Sequence, residues 1–136
     1  MALTGGLLAS CGSKSAQALP FATGLQTSVN GWGFANFPSS SFPEINFDTS
    51  DVVSMFGSDA TVCVGGKSDP CVLTAEAAAW AQMVNQSRAS GHCQGLAVIA
   101  AQRFNENASP PTVKLRSGEE TVHAVSRAFA TQFLPE

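Results

Sequence analysis

The residue with the clearest capacity for chemistry in this chain is Cys93, because a thiolate is a strong nucleophile in acyl transfer. It stands in "ASGHCQGLAVIAAQRF", residues 89–104, where a glycine-flanked turn leads into a nearly charge-free segment. The pattern predicts a helix from Cys93 to Asn105. Partial positive charge at a helix N-terminus stabilises a thiolate, and the first-turn N–H groups lack partners within the helix. Cys93 is therefore a candidate nucleophile whose own N–H is free to bind an oxyanion.

A cysteine nucleophile needs a base, and the chain contains two histidines. His92 is adjacent to Cys93, and successive side chains on a helix point in different directions, so it is poorly placed to take the thiol proton. His123 lies in "EETVHAVSRAF", a segment with helical spacing, and is a weak candidate for the base.

The segment with Gly91, Cys93, Gly95 and Ala97 resembles the nucleophile helix of papain-like and transglutaminase-like cysteine hydrolases. The resemblance is confined to this short segment. It implies an α+β fold in which a later His, and then an Asp or Asn, come from a sheet packed on the helix. It also implies a peptide or protein substrate whose acyl or amide bond Cys93 attacks. The family uses a Gln upstream of the nucleophile as an oxyanion donor, and Gln86, with Gln82 as an alternative, is a weak candidate for that role. Independently of the resemblance, Gly95 is expected to leave room for a substrate chain.

Only "TVKLR", residues 112–116, is predicted to be a strand. We therefore expect a mainly helical chain, the N-terminal helical part of a papain-like domain, with the sheet missing and no activity alone. The alternative is a non-catalytic surface binding module in which Cys93 is a buried structural thiol. No cofactor is expected, and no metal, because the histidines and carboxylates show no ligand spacing.

The other cysteines indicate an exported protein. Cys63 and Cys71 bracket the turn-rich "VGGKSDP", and a disulfide is the favoured interpretation because half of a zinc site would lack further ligands. Leu8-Ala9-Ser10-Cys11 resembles the lipobox of bacterial lipoproteins, which implies a lipid on Cys11 and a membrane as partner. The preceding residues contain no Lys or Arg, so a misassigned start, a truncated gene model and chance similarity all remain open.

Composition narrows the function classes further. Charged residues make up only 12% of the chain, the net charge is −3, and the few Lys and Arg are scattered. Nucleic acid is therefore not an expected partner. We expect residues 1–30 to form a signal remnant and a tether, and residues 31–136 to form a single domain.

Within that domain, residues 31–47 predict an extended arm, because Pro38 and Pro43 prevent a regular helix. Its aromatic side chains are expected to dock on the domain: Trp32, Phe34, Phe37, Phe42 and Phe47. A short helix follows, capped by Ser50 or Thr49 and ended by Gly57. Thr74 is expected to cap the next helix, and Ser117 with Glu120 to form a capping box for the last. The helix at Cys93 is apolar all round and is expected to be central.

Overall fold

The computed structural model describes residues 24–134 of the chain. They form α-helices joined by loops and short 3-10 turns, and the predicted mainly helical character is confirmed. The α-helices are α1 (Thr27–Asn30), α2 (Thr49–Phe56), α3 (Ala75–Ser87), α4 (Cys93–Asn105) and α5 (Glu119–Ala130). Within the described part there is no β-strand, only an isolated antiparallel bridge between Cys63 and Leu73.

The predicted strand over residues 112–116 is wrong. Thr112–Lys114 form a 3-10 turn, in which the N–H of Lys114 donates to the Pro111 carbonyl and that of Leu115 to Thr112. The backbone groups that a strand would offer to a neighbour are therefore satisfied locally. The α+β expectation has no support among residues 24–134 for this reason.

Local capping explains where α2 and α3 begin, but not where α5 begins. Asp48, and not Ser50 or Thr49, caps α2: its carboxylate accepts from the N–H groups of Ser50 and Asp51, and Asp51 completes a capping box. Thr74 caps α3 as predicted, accepting from the N–H of Ala77. Helix α5 begins after Gly118 with no side-chain cap, so the predicted capping box of Ser117 and Glu120 is absent.

Helices α4 and α5 form the closest helix pair because Gly95 is buried between them. A Cβ atom at Gly95 would collide with the backbone carbonyl of Val125 and would lie 2.9 Å from the backbone nitrogen of Phe129. Gly95 thus lies opposite residues 125–129, and Ile99 lines a cleft with Ala124, so the two helices run antiparallel. Gly95 lets two backbones approach and does not leave the predicted room for a substrate.

Helix α5 is the central helix of the fold. Its side chains enter both core clusters, one built around Phe47, Val52 and Val84 and the other around Phe37 and Leu96. Its buried residues are Val122, Val125, Ser126, Ala128, Phe129 and Ala130. The expectation that α4 is central is wrong, because only its residues Gly95 and Leu96 are buried.

Residues 31–47, the aromatic arm, cross the helices without regular structure beyond a 3-10 turn at Ser39–Ser41. The arm docks through its rings as predicted. Phe37 and Phe47 are buried, and Trp32, Phe34 and Phe42 pack around the Phe37 cluster. The indole N–H of Trp32 also donates to the carbonyl of Leu96 on α4, at 2.8 Å.

Two features bear on the expected setting of the domain. Cys63 and Cys71 form the predicted disulfide, a bond typical of proteins outside the cytosol. In residues 24–134 we find no helix with the length and apolar character that a membrane span requires.

Helix α1 lies within the segment predicted as a tether and contacts α4, so packing onto the helices begins by residue 27.

Candidate functional site

Cys93 is the first residue of α4, as predicted, and its thiol is exposed and not part of a disulfide. Exposure argues against the alternative in which Cys93 is a buried structural thiol. The residue before it, His92, occupies the N-cap position of α4 without capping it through its side chain. The thiol and this imidazole are neighbours in sequence, but they lie in different environments, because the ring of His92 is buried.

The imidazole of His92 is 0% exposed and is hydrogen-bonded at both nitrogens. Nε2 lies 2.7 Å from Nε of Arg88, and Nδ1 lies 2.7 Å from the carbonyl oxygen of Phe37. A guanidinium has only donors and a carbonyl only accepts, so the ring accepts at Nε2 and donates from Nδ1. His92 is therefore the neutral Nδ1–H tautomer.

Arg88 connects this ring to the rest of the aromatic arm. Its side chain is only 1% exposed and donates to the carbonyl of Ile45 and to the side-chain oxygen of Asn85. Asn85 in turn pairs with the backbone N–H and carbonyl of Phe47, at 2.9 and 2.8 Å. We call Asn85, Arg88 and His92 the arm-binding network, because all three bind backbone groups of the arm.

Asn36 completes the junction from the side of the arm. Its side-chain oxygen accepts from the N–H of His92 at 2.8 Å, so it satisfies a donor just before α4. Gly91 is required beside it: its φ is +128°, and a Cβ atom there would lie 2.5 Å from Nδ2 of Asn36. The turn before Cys93 is thus shaped by its contact with the arm.

The surroundings of His92 disfavour its charged form. Burial lowers the pKa of His92; the hydrogen bond to the Phe37 carbonyl opposes this, and the Arg88 charge lowers the pKa further, to a net value below the usual range. Burial also lowers the pKa of Arg88, although the charge of Asp51 opposes it. Arg88 nonetheless remains cationic, because an arginine titrates far above neutral pH.

The second histidine belongs to a different network, which joins α2 to α5. Nδ1 of His123 donates to Oδ2 of Asp51 at 2.7 Å, and Arg127 donates to Oδ1 of the same carboxylate at 2.7 Å. Asp51 is fully buried, whereas the side chains of His123 and Arg127 are 19% and 34% exposed. We call these three residues the Asp51 network.

Asp48 lies next to the Asp51 network, and its carboxylate, that of Asp51 and a ring nitrogen of His123 come within 4.8 Å of one another. Burial alone would raise the pKa of Asp48, but hydrogen bonds from Ser50 and Asp51 and the nearby His123 lower it overall. These oxygens already accept N–H groups at the N-terminus of α2, and Arg127 supplies a cation. The cluster is an ion-pair and capping network in which a metal would displace existing partners.

The residues predicted to form a cysteine-hydrolase site are not brought together. Gly95 lies opposite residues 125–129, so His123 lies at the level of Ile99 on α4. Six residues of helix separate that level from Cys93, which amounts to about 9 Å along the axis. His123 also faces α2, where it binds Asp51. Gln86 is exposed near the end of α3. The lipidation candidate Cys11 lies outside the described residues.

Sequence reasoning missed the roles of Arg88 and Asp51. Asp51 lies in the first turn of α2, where an acidic residue suits the helix N-terminus, yet it also pairs with two side chains more than 70 positions away. Arg88 precedes His92 by four positions in a chain with few charges, and that spacing was the available signal. Nothing in the local sequence indicated that both side chains would be buried.

The surface also carries an apolar cleft of about 210 Å³ between α2, α3 and the C-terminal residues. It is lined by Val52, Phe56, Val62, Ala77, Trp80 and Leu134. Phe56 and Leu134 are exposed, and the ring of Phe56 packs edge-on against Trp80 at 5.2 Å. Every residue of the lining is apolar, so the cleft suits an apolar group.

Comparison of the chain with protein-family models, curated proteins and solved structures found no match.

Proposed function

We propose that this chain is a non-catalytic binding module that acts outside the cytosol. The observation that carries the proposal is that both histidine rings are already hydrogen-bonded to groups other than Cys93. The ring of His92 is fully occupied by Arg88 and the Phe37 carbonyl, and His123 binds Asp51 at a distance from Cys93. Within residues 24–134 the exposed thiol therefore has no imidazole in position to activate it. The Cys63–Cys71 disulfide supports a location outside the cytosol.

The apolar cleft beside Phe56 is the surface that best supports binding. Exposed apolar side chains around a concave site are typical of interaction surfaces. The natural occupant would be an apolar side chain or a short hydrocarbon group, because the lining offers no polar side chain.

The cleft is tested with the apolar fluorophore anilinonaphthalene sulfonate and two matched variants. Phe56→Ser opens the cleft, whereas Val72→Ser removes an exposed apolar side chain that does not line it. We expect Phe56→Ser to weaken dye binding by the folded protein and Val72→Ser to leave it unchanged. Equal binding by both variants would contradict the assignment of this surface.

The non-catalytic character is tested by the alkylation of Cys93. We expect the rate at which iodoacetamide modifies the native protein to lie within about fivefold of the rate for an unstructured cysteine peptide, both at pH 6 and at pH 8, because a helix N-terminus alone supplies only about 0.3–1 kcal/mol. A rate at pH 6 well above that of the peptide would contradict the proposal, because it would require an activated thiolate. Cys93→Ser provides the blank.

A second candidate function, a cysteine hydrolase with Cys93 as nucleophile, is supported by one observation. The thiol is exposed at the first residue of a 13-residue helix, where the N-terminal dipole favours a thiolate. In this proposal the chain is part of a larger papain-like domain, and the base lies elsewhere. A peptidyl vinyl sulfone should then label Cys93 in the protein isolated from its native source. Absence of labelling there, with labelling of papain in the same sample, would remove this candidate.

The lipid anchor on Cys11 is a separate proposal supported by the lipobox-like sequence. Mass spectrometry of the protein from its native membranes should then show a diacylglyceryl group on Cys11, with cleavage before that residue. A Cys11→Ser variant should lose the membrane association. An intact, unmodified N-terminal segment in the mature protein would contradict the anchor.

A further inference from the structure

We propose that Arg88 and His92 form an acid-sensitive latch that holds the aromatic arm on the helices and releases it when His92 takes up a proton. The inference concerns the described residues alone and does not depend on either proposed function. Its three components are a buried pair of nitrogen atoms, the absence of a compensating carboxylate at His92, and the attachment of the arm to the pair.

The closed latch requires a neutral imidazole. Nε of Arg88 donates to Nε2 of His92 at 2.7 Å, and both side chains are buried. A proton on Nε2 would remove the acceptor and set one N–H group against another. It would also place two cations in contact in a site closed to water, where charge repulsion is strong. The protonated ring is therefore incompatible with this geometry.

Among residues 24–134, the groups around His92 offer the second charge no counter-ion. The rings of Phe37 and Phe129 pack against the imidazole, and Asn36 contacts its backbone N–H. The carboxylate that acts on the pair is Asp51 of α2, whose charge interacts with Arg88 and raises the pKa of Arg88.

On α5, His123 and Arg127 face the carboxylate of Asp51 and already bind it. A positive charge on His92 would therefore lie beside that of Arg88 and would have no carboxylate of its own. The same site, in contrast, is well suited to a neutral ring.

The arm is the element that would move. Its backbone is bound to the network at the carbonyls of Phe37 and Ile45 and at both polar groups of Phe47. The ring of Phe37 packs against the imidazole with centroids 4.6 Å apart and planes tilted by 33°, so a charged ring reaches water when this part of the arm lifts. Helix α5 is held to α2 by Asp51 and to α4 at Gly95, and neither contact involves the arm.

The direction of the pH dependence follows from the lowered pKa of His92 in the closed form. In the open form the ring is solvated and titrates near its usual value of about 6.5. The latch is therefore fully closed above that pH and opens as the pH falls toward the lower value of the closed form. Because one proton is taken up, the opening constant rises by up to about tenfold per pH unit in this window.

The test is hydrogen–deuterium exchange of the full chain between pH 8 and pH 5, with each rate corrected for the intrinsic pH dependence. His123→Gln is the matched control, since it removes the only other histidine. In the wild type and in this control we expect the protection of residues 31–47 to fall up to tenfold per pH unit below about pH 6.5. The protection of α5 should change much less over the same range.

His92→Gln is the decisive variant, because its side-chain oxygen accepts from Arg88 but takes up no proton. Protection of the arm in this variant should be independent of pH in this window. The proposal is overturned if the arm shows no such fall, if α5 loses protection in parallel, or if His123→Gln abolishes the fall. Should His92→Gln fail to fold, the profiles of the wild type and of His123→Gln decide the question by themselves.

Discussion

The two histidines of this chain lie in networks of opposite electrostatic character. His92 accepts a hydrogen bond from the cation of Arg88 and donates to the aromatic arm, in a fully buried site. His123 donates to the carboxylate of Asp51 and is partly exposed. A proton on His92 breaks its contact with Arg88, whereas a proton on His123 leaves the N–H donor to Asp51 in place.

The comparison shows that the charge of the partner determines how a histidine responds to acid. Both networks join segments that are distant in sequence, so both contribute to the tertiary structure. Only the arm-binding network has to change when the pH falls. The predictions below test whether the two networks differ in this way.

The largest loss in the free energy of unfolding is expected for Asp51→Ala. The variant leaves His123 and Arg127 without their buried acceptor and removes one half of the α2 capping box. Breaking a buried ion pair at one partner costs about 3–5 kcal/mol, and exposure of the two cations favours the lower end. Urea unfolding at pH 7 measures the change. Asp48→Ala, which removes only the cap, should cost about 1 kcal/mol; equal losses would contradict the central role of Asp51.

Arg88 and Arg127 should differ in the stability lost when each is changed to Lys, which keeps the charge but has no planar fork of donors. Arg88→Lys cannot serve the acceptors of His92, Asn85 and Ile45 together and should cost about 1–3 kcal/mol in all, because the acceptors of Asn85 and Ile45 are only partly buried and can bind water. Arg127→Lys keeps a cation beside Oδ1 of Asp51 at a partly exposed position and should cost less than about 1 kcal/mol. Unfolding free energies at one pH give the comparison, and a larger loss for Arg127→Lys would reverse our ranking.

Acid should destabilise the protein through His92. Because the folded-state pKa of His92 is lowered, its contribution to stability is complete above the unfolded pKa of about 6.5 and is lost as the pH falls through the folded value. The free energy of unfolding should fall by up to about 1.4 kcal/mol between pH 7.5 and 5.5. Asp48, whose pKa is lowered, loses its contribution only in more acidic solution.

The matched variants assign this loss. Denaturant unfolding of His123→Gln at the two pH values should still show the decrease, and His92→Gln should show little. If the decrease disappeared in His123→Gln instead, the acid response would belong to the Asp51 network.

The smallest change in the free energy of unfolding is expected for Cys93→Ser. The thiol is exposed and belongs to neither network, and surface substitutions of this kind change stability by less than about 0.5 kcal/mol. The same unfolding measurement checks the value. A loss above 1 kcal/mol, on the order of a lost cap or hydrogen bond, would mean that Cys93 has a structural role after all.

Several features governed by local sequence were predicted, although the caps of α2 and α5 were not. The start of α4 at Cys93, the cap at Thr74, the stop at Gly57 and the Cys63–Cys71 disulfide are all confirmed. In each case the signal is a residue type with a local backbone or bonding preference. The docking of the aromatic arm is also confirmed, because its rings must be removed from water.

Features that depend on tertiary contact were not predicted. The strand expected over residues 112–116 is a 3-10 turn, since a strand needs a neighbour and none of the described segments supplies one. Gly95 was interpreted as space for a substrate, although it is the contact point of α4 with α5. His92 and Asp51 acquire their roles from residues 55 and 72 positions away, which local patterns do not encode.

The most direct test of the difference between the two networks is a measurement of imidazole ¹⁵N chemical shifts in the wild-type protein, with His123→Gln used for assignment. At pH 7, His92 should be neutral with the proton on Nδ1 and Nε2 unprotonated, and it should remain so in the closed form below pH 6.5. A cationic ring at pH 7, or a neutral ring with its proton on Nε2, would contradict the hydrogen bond from Arg88 and with it the acid-sensitive latch.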